Sequence, residues 1–269
     1  MDYHLAIPSY RRAEMIGKKT LKFLKESGGP KPTLYVADQE DLTAYRNLYP
    51  ELEILLAPKG IAATRNHIQN LQPLGKKIVF IDDDIEEIYR LDIENHHIDT
   101  ITAKPKKHKV RDFNALVQEA FKCAEAAGTS WWGVQPTDNL LCMKPVIRRN
   151  LCYINGSLFG VINSRVSVKE NHCEDFERSL RYWVKENKLC RLEFVGLVTK
   201  YLKNPGGLQE TRSEEMTSES AHRVQEEFAS LCKIRKKKGK WEDLSFKRFP
   251  PMFINVPLTC DNKSHSSLQ

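Results

Sequence analysis

Asp82, Asp83 and Asp84 follow directly on the apolar run Val79-Phe80-Ile81. Three like charges at the end of a strand are costly unless a positive group sits among them. Their Asp-x-Asp spacing suits a divalent cation: Mg²⁺ and Mn²⁺ prefer carboxylate oxygens and complete their shells with substrate phosphates. One chemistry open to the triplet is the holding of a metal-bound diphosphate; a solvated acidic turn is the other. Three more segments carry reactive types. Ile7-Pro8-Ser9-Tyr10-Arg11-Arg12 offers forked guanidinium donors for a base, a ribose or a phosphate, and reads equally as a surface turn. Lys59-Gly60-Ile61-Ala62-Ala63-Thr64-Arg65-Asn66 opens with small residues that permit close backbone approach and puts Arg65 one turn in, or is an ordinary helix start. His172-Cys173-Glu174-Asp175-Phe176 sets two acids side by side where a helix begins. Such acids commonly do no more than complement the helix dipole. A catalytic one would take a proton from an acceptor hydroxyl.

Alternating elements position these segments. Residues 3–7, 33–37, 53–57 and 77–82 read as strands, and 13–26, 39–49 and 61–70 as helices. That βαβαβαβ order with short connections implies a mainly parallel sheet covered by helices. In such sheets ligands bind beyond the carboxyl ends of the strands, where Pro8, Asp38, Pro58 and Asp82 fall. Past residue 110 the pattern is mixed: helices over 110–128 and 174–187, strands over 131–135, 153–161 and 191–201, then a long charged helix over 216–238. The stretch after Phe249 is rich in Pro, Asn and Ser, and its last ten residues are expected to be disordered.

With 269 residues, 41% hydrophobic and 29% charged, the chain can bury a sizeable core, which excludes a disordered protein. No apolar run approaches the ~18 residues of a membrane span, so no membrane partner is expected. No basic stretch leads into an apolar one at the N-terminus, so no signal peptide is expected. Seven cysteines without a Cys-x-x-Cys pair point to reduced thiols and a cytoplasmic location, the host cytoplasm if the source is viral. The net charge of +7 leaves room for a polyanionic partner.

Taken in order, residues 7–12, 60–66, 79–84 and the pair Glu174-Asp175 resemble the fold-A (GT-A) nucleotide-sugar glycosyltransferases over roughly residues 3–205. The resemblance implies an α/β, GT-A-like fold: a mainly parallel central sheet flanked by helices, with a helical C-terminal extension. It implies a catalytic domain over 1–205, its nucleotide-sugar half over 1–95 and its acceptor half over 96–205, then a basic helical extension over 206–248 and a tail. The activity implied is metal-dependent transfer of a hexose or pentose from a nucleotide-sugar, a UDP-sugar for preference, to a hydroxyl. Asp84 and Asp82 would hold Mn²⁺ or Mg²⁺, with Asp82 and Asp83 near the ribose or donor sugar. Pro8, Ser9, Arg11 and Asp38 would hold the nucleoside and Arg65 the nucleotide. Asp175, beside Glu174, would be the general base of an inverting reaction. The second strand ends Val36-Ala37-Asp38-Gln39 rather than in the common double-Asp-Gly-Ser, a departure that bears on Asp38.

Tyr153-Ile154-Asn155-Gly156 and Asn204-Pro205-Gly206-Gly207-Leu208-Gln209 resemble the branch that hypermodifies DNA bases, which includes the base J glucosyltransferase and phage enzymes acting on 5-hydroxymethylpyrimidines. That implies DNA as acceptor. Two basic blocks suit DNA phosphates, one with Lys104, Lys106, Lys107, Lys109 and Arg111, the other with Lys236, Lys237 and Lys238; solvated faces are the plainer reading. Should a base flip out, Trp131, Trp132 or Tyr153 can stack on it, with at least one Trp in the core. The rivals are a glycan, lipid-linked or protein acceptor, a metal-dependent nucleotidyltransferase, a dehalogenase-type phosphatase and a non-enzymatic nucleic-acid-binding protein. The sequence leaves the oligomeric state open.

Overall fold

The structure is a computed structural model that describes residues 2–92, 106–199, 206–207, 213–236, 242–250 and 252–255. Its first half is β1 (Tyr3–Pro8), α1 (Ala13–Lys18), α2 (Thr20–Glu26), β2 (Thr33–Val36), α3 (Gln39–Leu48), β3 (Glu53–Leu56), α4 (Ile61–Leu71) and β4 (Lys77–Ile81). The four strands are parallel in the order β3-β2-β1-β4, with Leu5 opposite Val79 and Leu34 opposite Ile54. Successive residues of a strand point to opposite faces, so a strand buried on both sides reads as a continuous apolar run. Leu5, Ile7, Val79 and Ile81 accordingly join one core, while Ala6, Ile78 and Phe80 join the other.

The helix expected over 13–26 is two helices broken at Lys19, whose φ of −122° and ψ of −97° are not helical. The break puts the buried Thr20 under the acidic turn. Its hydroxyl donates to the Asp82 carbonyl (2.7 Å) and accepts from the Ile85 amide (2.9 Å).

The second half contains β5 (Glu87–Leu91), β6 (Lys107–Lys109), α5 (Phe113–Ala127), β7 (Trp131–Gln135), β8 (Val146–Arg148), β9 (Leu158–Ile162), α6 (Glu174–Glu186) and β10 (Cys190–Val198). Next come α7 (Glu214–Glu227), the hairpin β11 (Cys232–Lys236) with β12 (Glu242–Phe246), and β13 (Phe253–Asn255). Among the described residues one eleven-stranded sheet runs β13-β8-β10-β7-β9-β4-β1-β2-β3, with β5 on β10 and β6 on β5. β9 lies antiparallel between β4 and β7, and β10 returns parallel to β7. The result is the α/β arrangement expected, a mainly parallel sheet between helical layers.

Three expectations are corrected. The helix read over 216–238 stops at Glu227 and is followed by the hairpin. Cys232 faces the core and Ile234 is half-buried, whereas Lys233 and Arg235 face out, so a period of two underlies what reads as a charge run. Part of the stretch beyond Phe249 is β13, paired with β8; residues 256–269 lie outside the described ones. Trp131 and Trp132 are both at most 1% exposed, on opposite faces of β7, against Tyr182 and Phe121 respectively. Neither is available to a flipped base.

Candidate active site

The acidic turn divides its three carboxylates between two tasks. Asp83 is turned inward: Ser9 Oγ donates to its Oδ2 (2.5 Å) and the Arg12 guanidinium to its Oδ1 (2.7 Å). Ser9 Oγ also meets the Tyr45 hydroxyl (2.6 Å), so the end of β1, α3 and the acidic turn are tied through one buried cluster. Asp82 and Asp84 open into a cavity of about 1190 Å³ at the carboxyl ends of the strands. Their side chains keep 32% and 15% of their surface, against 5% for Asp83. Asp84 accepts from Thr199 Oγ1 (3.0 Å). Arg65 Nη2 donates to Asp82 Oδ1 (2.9 Å). Burial pushes the Asp82 carboxyl up to about 7; Arg65 opposes the shift, and Asp84 and Asp83 add to it.

Arg65 is almost fully buried and has three acceptors: Asp82, the Gly156 carbonyl (2.7 Å) and Glu174 Oε2 (2.8 Å). Glu174 takes a second guanidinium, with Arg178 Nε donating to its Oε1 (2.8 Å). Both guanidiniums lie over the Phe159 ring, 5.0 and 5.1 Å from its centre. Burial opposes ionisation of Glu174, but Arg178 and Arg65 outweigh it and hold the carboxyl down at about 2. Its oxygens are therefore committed to these partners, although the sequence placed it with Asp175 among the catalytic groups.

Asp175, the next residue, faces the cavity and accepts from the Tyr153 hydroxyl (2.7 Å). Burial, then the charge of Glu174, drive its carboxyl well above the ordinary range. Gly156 leaves the space these groups occupy: a Cβ there would sit 2.5 Å from both Arg65 Nη1 and Asp175 Oδ1. Gly60 has a φ of +106°, and a Cβ there would also collide with the Asn171 side chain, whose Oδ1 accepts from the Ala62 amide (3.0 Å). The close approach foreseen at that helix start is thus made by Asn171, which stands in for the missing capping side chain.

Of the residues singled out from the sequence, Pro8, Ser9, Arg65, Asp82, Asp83, Asp84, Glu174 and Asp175 line this one cavity. Arg11 and Asp38 do not. Asp38 caps α3 by accepting from the Asp41 amide (2.8 Å), and the Arg11 side chain lies over the Tyr10 ring. The neighbours Tyr10, Arg12, Tyr35 and Lys59 line the wall instead. Arg65, expected on the nucleotide, has its guanidinium engaged by protein acceptors. Gly206 and Gly207 close over the same corner: Arg12 Nη2 donates to the Gly206 carbonyl (3.0 Å) and the Gly207 amide to the Tyr10 carbonyl (3.0 Å).

Asp82 and Asp84 offer hard oxygen donors at an acidic turn whose three carboxylates face two guanidiniums, Arg12 and Arg65, and such donors suit Mg²⁺ or Mn²⁺. No cluster of three His, Cys, Asp or Glu side chains able to hold a metal occurs among the described residues. Any such ion therefore takes much of its shell from phosphate and water, which is how Mg²⁺ is commonly held.

The sequence matches the family model "TET-Associated Glycosyltransferase" over residues 3–207, from β1 to the glycine pair beside Arg12. The chain belongs to the TET-associated glycosyltransferase family. As a glycosyltransferase it bears out the resemblance carried by the four ordered motifs, and α7, the hairpin and β13 lie beyond the matched segment. No curated protein matches the sequence. Among solved structures, glucosyl-3-phosphoglycerate synthase from Mycobacterium tuberculosis, in complex with Mn²⁺, UDP and glucosyl-3-phosphoglycerate, is 8% identical over 95% of this chain and 88% of that one, with a TM-score of 0.49. GalNAc-T7 with UDP, GalNAc and Mn²⁺ is 13% identical over 84% of this chain and 48% of that one, with a TM-score of 0.43. The inositol-1-phosphate CTP transferase from T. maritima is 9% identical over 84% and 98%, with a TM-score of 0.40. Likeness this distant does not separate sugar transfer from nucleotidyl transfer, since both are represented.

The basic blocks are less uniform than their sequences. Lys107 pairs with Asp138 and lies over the Tyr89 ring, and Lys109 pairs with Glu87, so two cations of the first block are spent within the fold. Lys106 and Arg111 are exposed. Lys236 is in β11, while Lys104, Lys237 and Lys238 lie outside the described residues.

Proposed function

We propose that this family member moves a sugar from a UDP-sugar to the hydroxyl of a 5-hydroxymethylpyrimidine in DNA, with a divalent cation held by Asp82 and Asp84. The observation that carries the reading is that these two carboxylates and Asp175 open into one cavity, while the oxygens of Asp83 are held by Ser9 and Arg12. A bound Mg²⁺ or Mn²⁺ would neutralise the charge that develops on the departing diphosphate. The protein's own groups do the rest. Pro8, Ser9, Tyr10 and Tyr35 wall the nucleoside end, with Arg12 and Lys59 as nearby cations. Asp175 takes the proton of the incoming hydroxyl. Burial and the charge of Glu174 raise its proton affinity, which makes it a stronger base than an ordinary carboxylate. Tyr153 orients the carboxylate, and Arg65 links it through Glu174 to Asp82.

Support for DNA as acceptor comes from the resemblance of residues 153–156 and 204–209 to the hypermodification branch, and from the exposed Lys106 and Arg111. The pairing of Lys107 and Lys109 takes away part of the positive flank, which favours a glycan or protein acceptor as the second reading. No described helix is long and apolar enough to cross a membrane, in keeping with a cytoplasmic enzyme. The test is nucleotide release from UDP- and GDP-sugars with Mn²⁺, with hydroxymethylated DNA, unmodified DNA or glycans added. Transfer to hydroxymethylated DNA alone supports the first reading; inactivity on both DNAs with transfer to a glycan replaces it by the second.

A further inference from the structure

The cavity is completed by residues from outside the family match. Met216 and Thr217 of α7 and Asp243 of β12 form part of its wall, although the matched segment ends at residue 207. They stand on the side of the proposed base. Cys173 Sγ, immediately before the two acids of α6, contacts the Thr217 carbonyl at 4.0 Å. Phe246 of the hairpin packs on Phe176 (5.1 Å between ring centres), and Phe176 on Tyr153 (4.9 Å), whose hydroxyl holds Asp175. The nucleoside end, formed by Pro8, Ser9, Tyr10 and Tyr35, belongs to β1, β2 and the loop after β1 instead.

This added wall is firmly seated. Ala221, Val224 and Phe228 are buried with Leu180 and Trp183 of α6, and Arg223 makes a two-pronged pair with Glu170 (2.8 and 2.9 Å). Its surface is nonetheless open to the cavity, with Met216 44% exposed. A thioether gives adaptable apolar contact to a ring laid against it. The Asp243 carboxylate is engaged within the protein, its Oδ1 accepting from the Leu244 amide (2.8 Å).

We infer that α7 and the β11–β12 hairpin are the acceptor wall of the enzyme, and that Met216 receives an acceptor whose hydroxyl is carried by a flat, uncharged ring. The inference rests on the assignment of Asp175 as base. It places the nucleobase, not the phosphate backbone, against this wall.

The experiment is a KM split for Met216→Ala, a cavity-facing position, with thermal melts to confirm folding. Oligonucleotides containing 5-hydroxymethylcytosine, which has an exocyclic amine, and 5-hydroxymethyluracil, which has a carbonyl there, are the acceptor probes. A wild type that glycosylates a glycan and neither oligonucleotide overturns the inference. Met216→Ala is expected to raise the acceptor KM about tenfold while the donor KM moves less than about twofold. Unchanged acceptor constants, or an equal rise in donor KM, overturn the inference. Asp175→Asn separates its failure from that of the underlying reading. Transfer that survives Asp175→Asn removes both; loss of transfer there with unaltered constants for Met216→Ala removes the wall alone.

Discussion

Glu174→Gln tests whether the acid beside the proposed base is a structural ion or a chemical group. The substitution keeps the shape of the side chain and removes the charge that Arg65 and Arg178 share. Arg178 and Arg65 hold the Glu174 carboxyl below its ordinary value in the fold, so its ionised form stabilises the folded state. Breaking a buried pair from one side typically costs about 3–5 kcal/mol, because the remaining charge is left uncompensated. For 269 residues, at about 2.1 cal/mol/K of unfolding entropy per residue, that cost lowers Tm by about 5–9 °C. Because the folded value is depressed, the contribution is present above the unfolded value, is lost as pH falls towards 2, and is absent from the variant. The difference in Tm between wild type and variant should therefore narrow as the pH is lowered from neutral towards 3, within the range where both remain folded. The second readout is kinetic. Glu174 is one of the groups that raise the Asp175 carboxyl, so its neutralisation lets Asp175 ionise at lower pH and moves the acid limb of kcat down. Calorimetric melts and a pH–rate profile measure both. A variant with unchanged Tm but lost activity would refute the structural assignment, and an unmoved acid limb would refute the coupling.

Asp84→Asn should abolish Mn²⁺-dependent UDP binding in titration calorimetry with the melting temperature kept, since a carboxylate is removed from an overcharged turn; unchanged affinity would exclude Asp84 as a ligand. Asp175→Asn should lower turnover by at least about a thousandfold with donor affinity retained, and NMR of the wild-type product should show an inverted anomeric centre. Gly156→Ala drives a methyl to 2.5 Å from Arg65 and Asp175, both held by other bonds, so it should cost about 1–3 kcal/mol of stability and reduce kcat more than it changes donor KM. A variant with wild-type kcat would show that the Asp175 position tolerates displacement.

The parallel half of the fold was legible because β1, β2, β3 and β4 are short apolar runs separated by helices with clear starts. The acidic turn was found for the same reason: three carboxylates after Ile81 contrast sharply with what precedes them. The division of labour within the turn was not legible. Nothing local tells Asp83 apart from its neighbours; Ser9 and Arg12, more than seventy residues away, decide it. Arg65 and Glu174 were found as residues but their protein partners were not, because a buried guanidinium with three acceptors looks in sequence like an exposed one. Tyr153 was marked as a stacking ring, whereas its hydroxyl is what meets Asp175. The hairpin was hidden by charge, since outward lysines and arginines masked the alternation of Cys232 and Ile234. Short strands such as β8 and β13, three residues each, carry too few positions to show a period at all.

The Gly206 carbonyl bonded to Arg12 has a consequence for how enzymes of this kind can diversify. The segment shared with the family ends in this glycine pair, which Arg12 holds at the rim of the active site rather than on a remote surface. Whatever follows residue 207 is launched from the mouth of the cavity. An exchanged or lengthened C-terminal module is thereby delivered beside the reacting hydroxyl without disturbing a single strand of the parallel half. In this architecture a new acceptor can be acquired by recombination at one junction, and a chimera joined at Gly207 is the natural way to graft it.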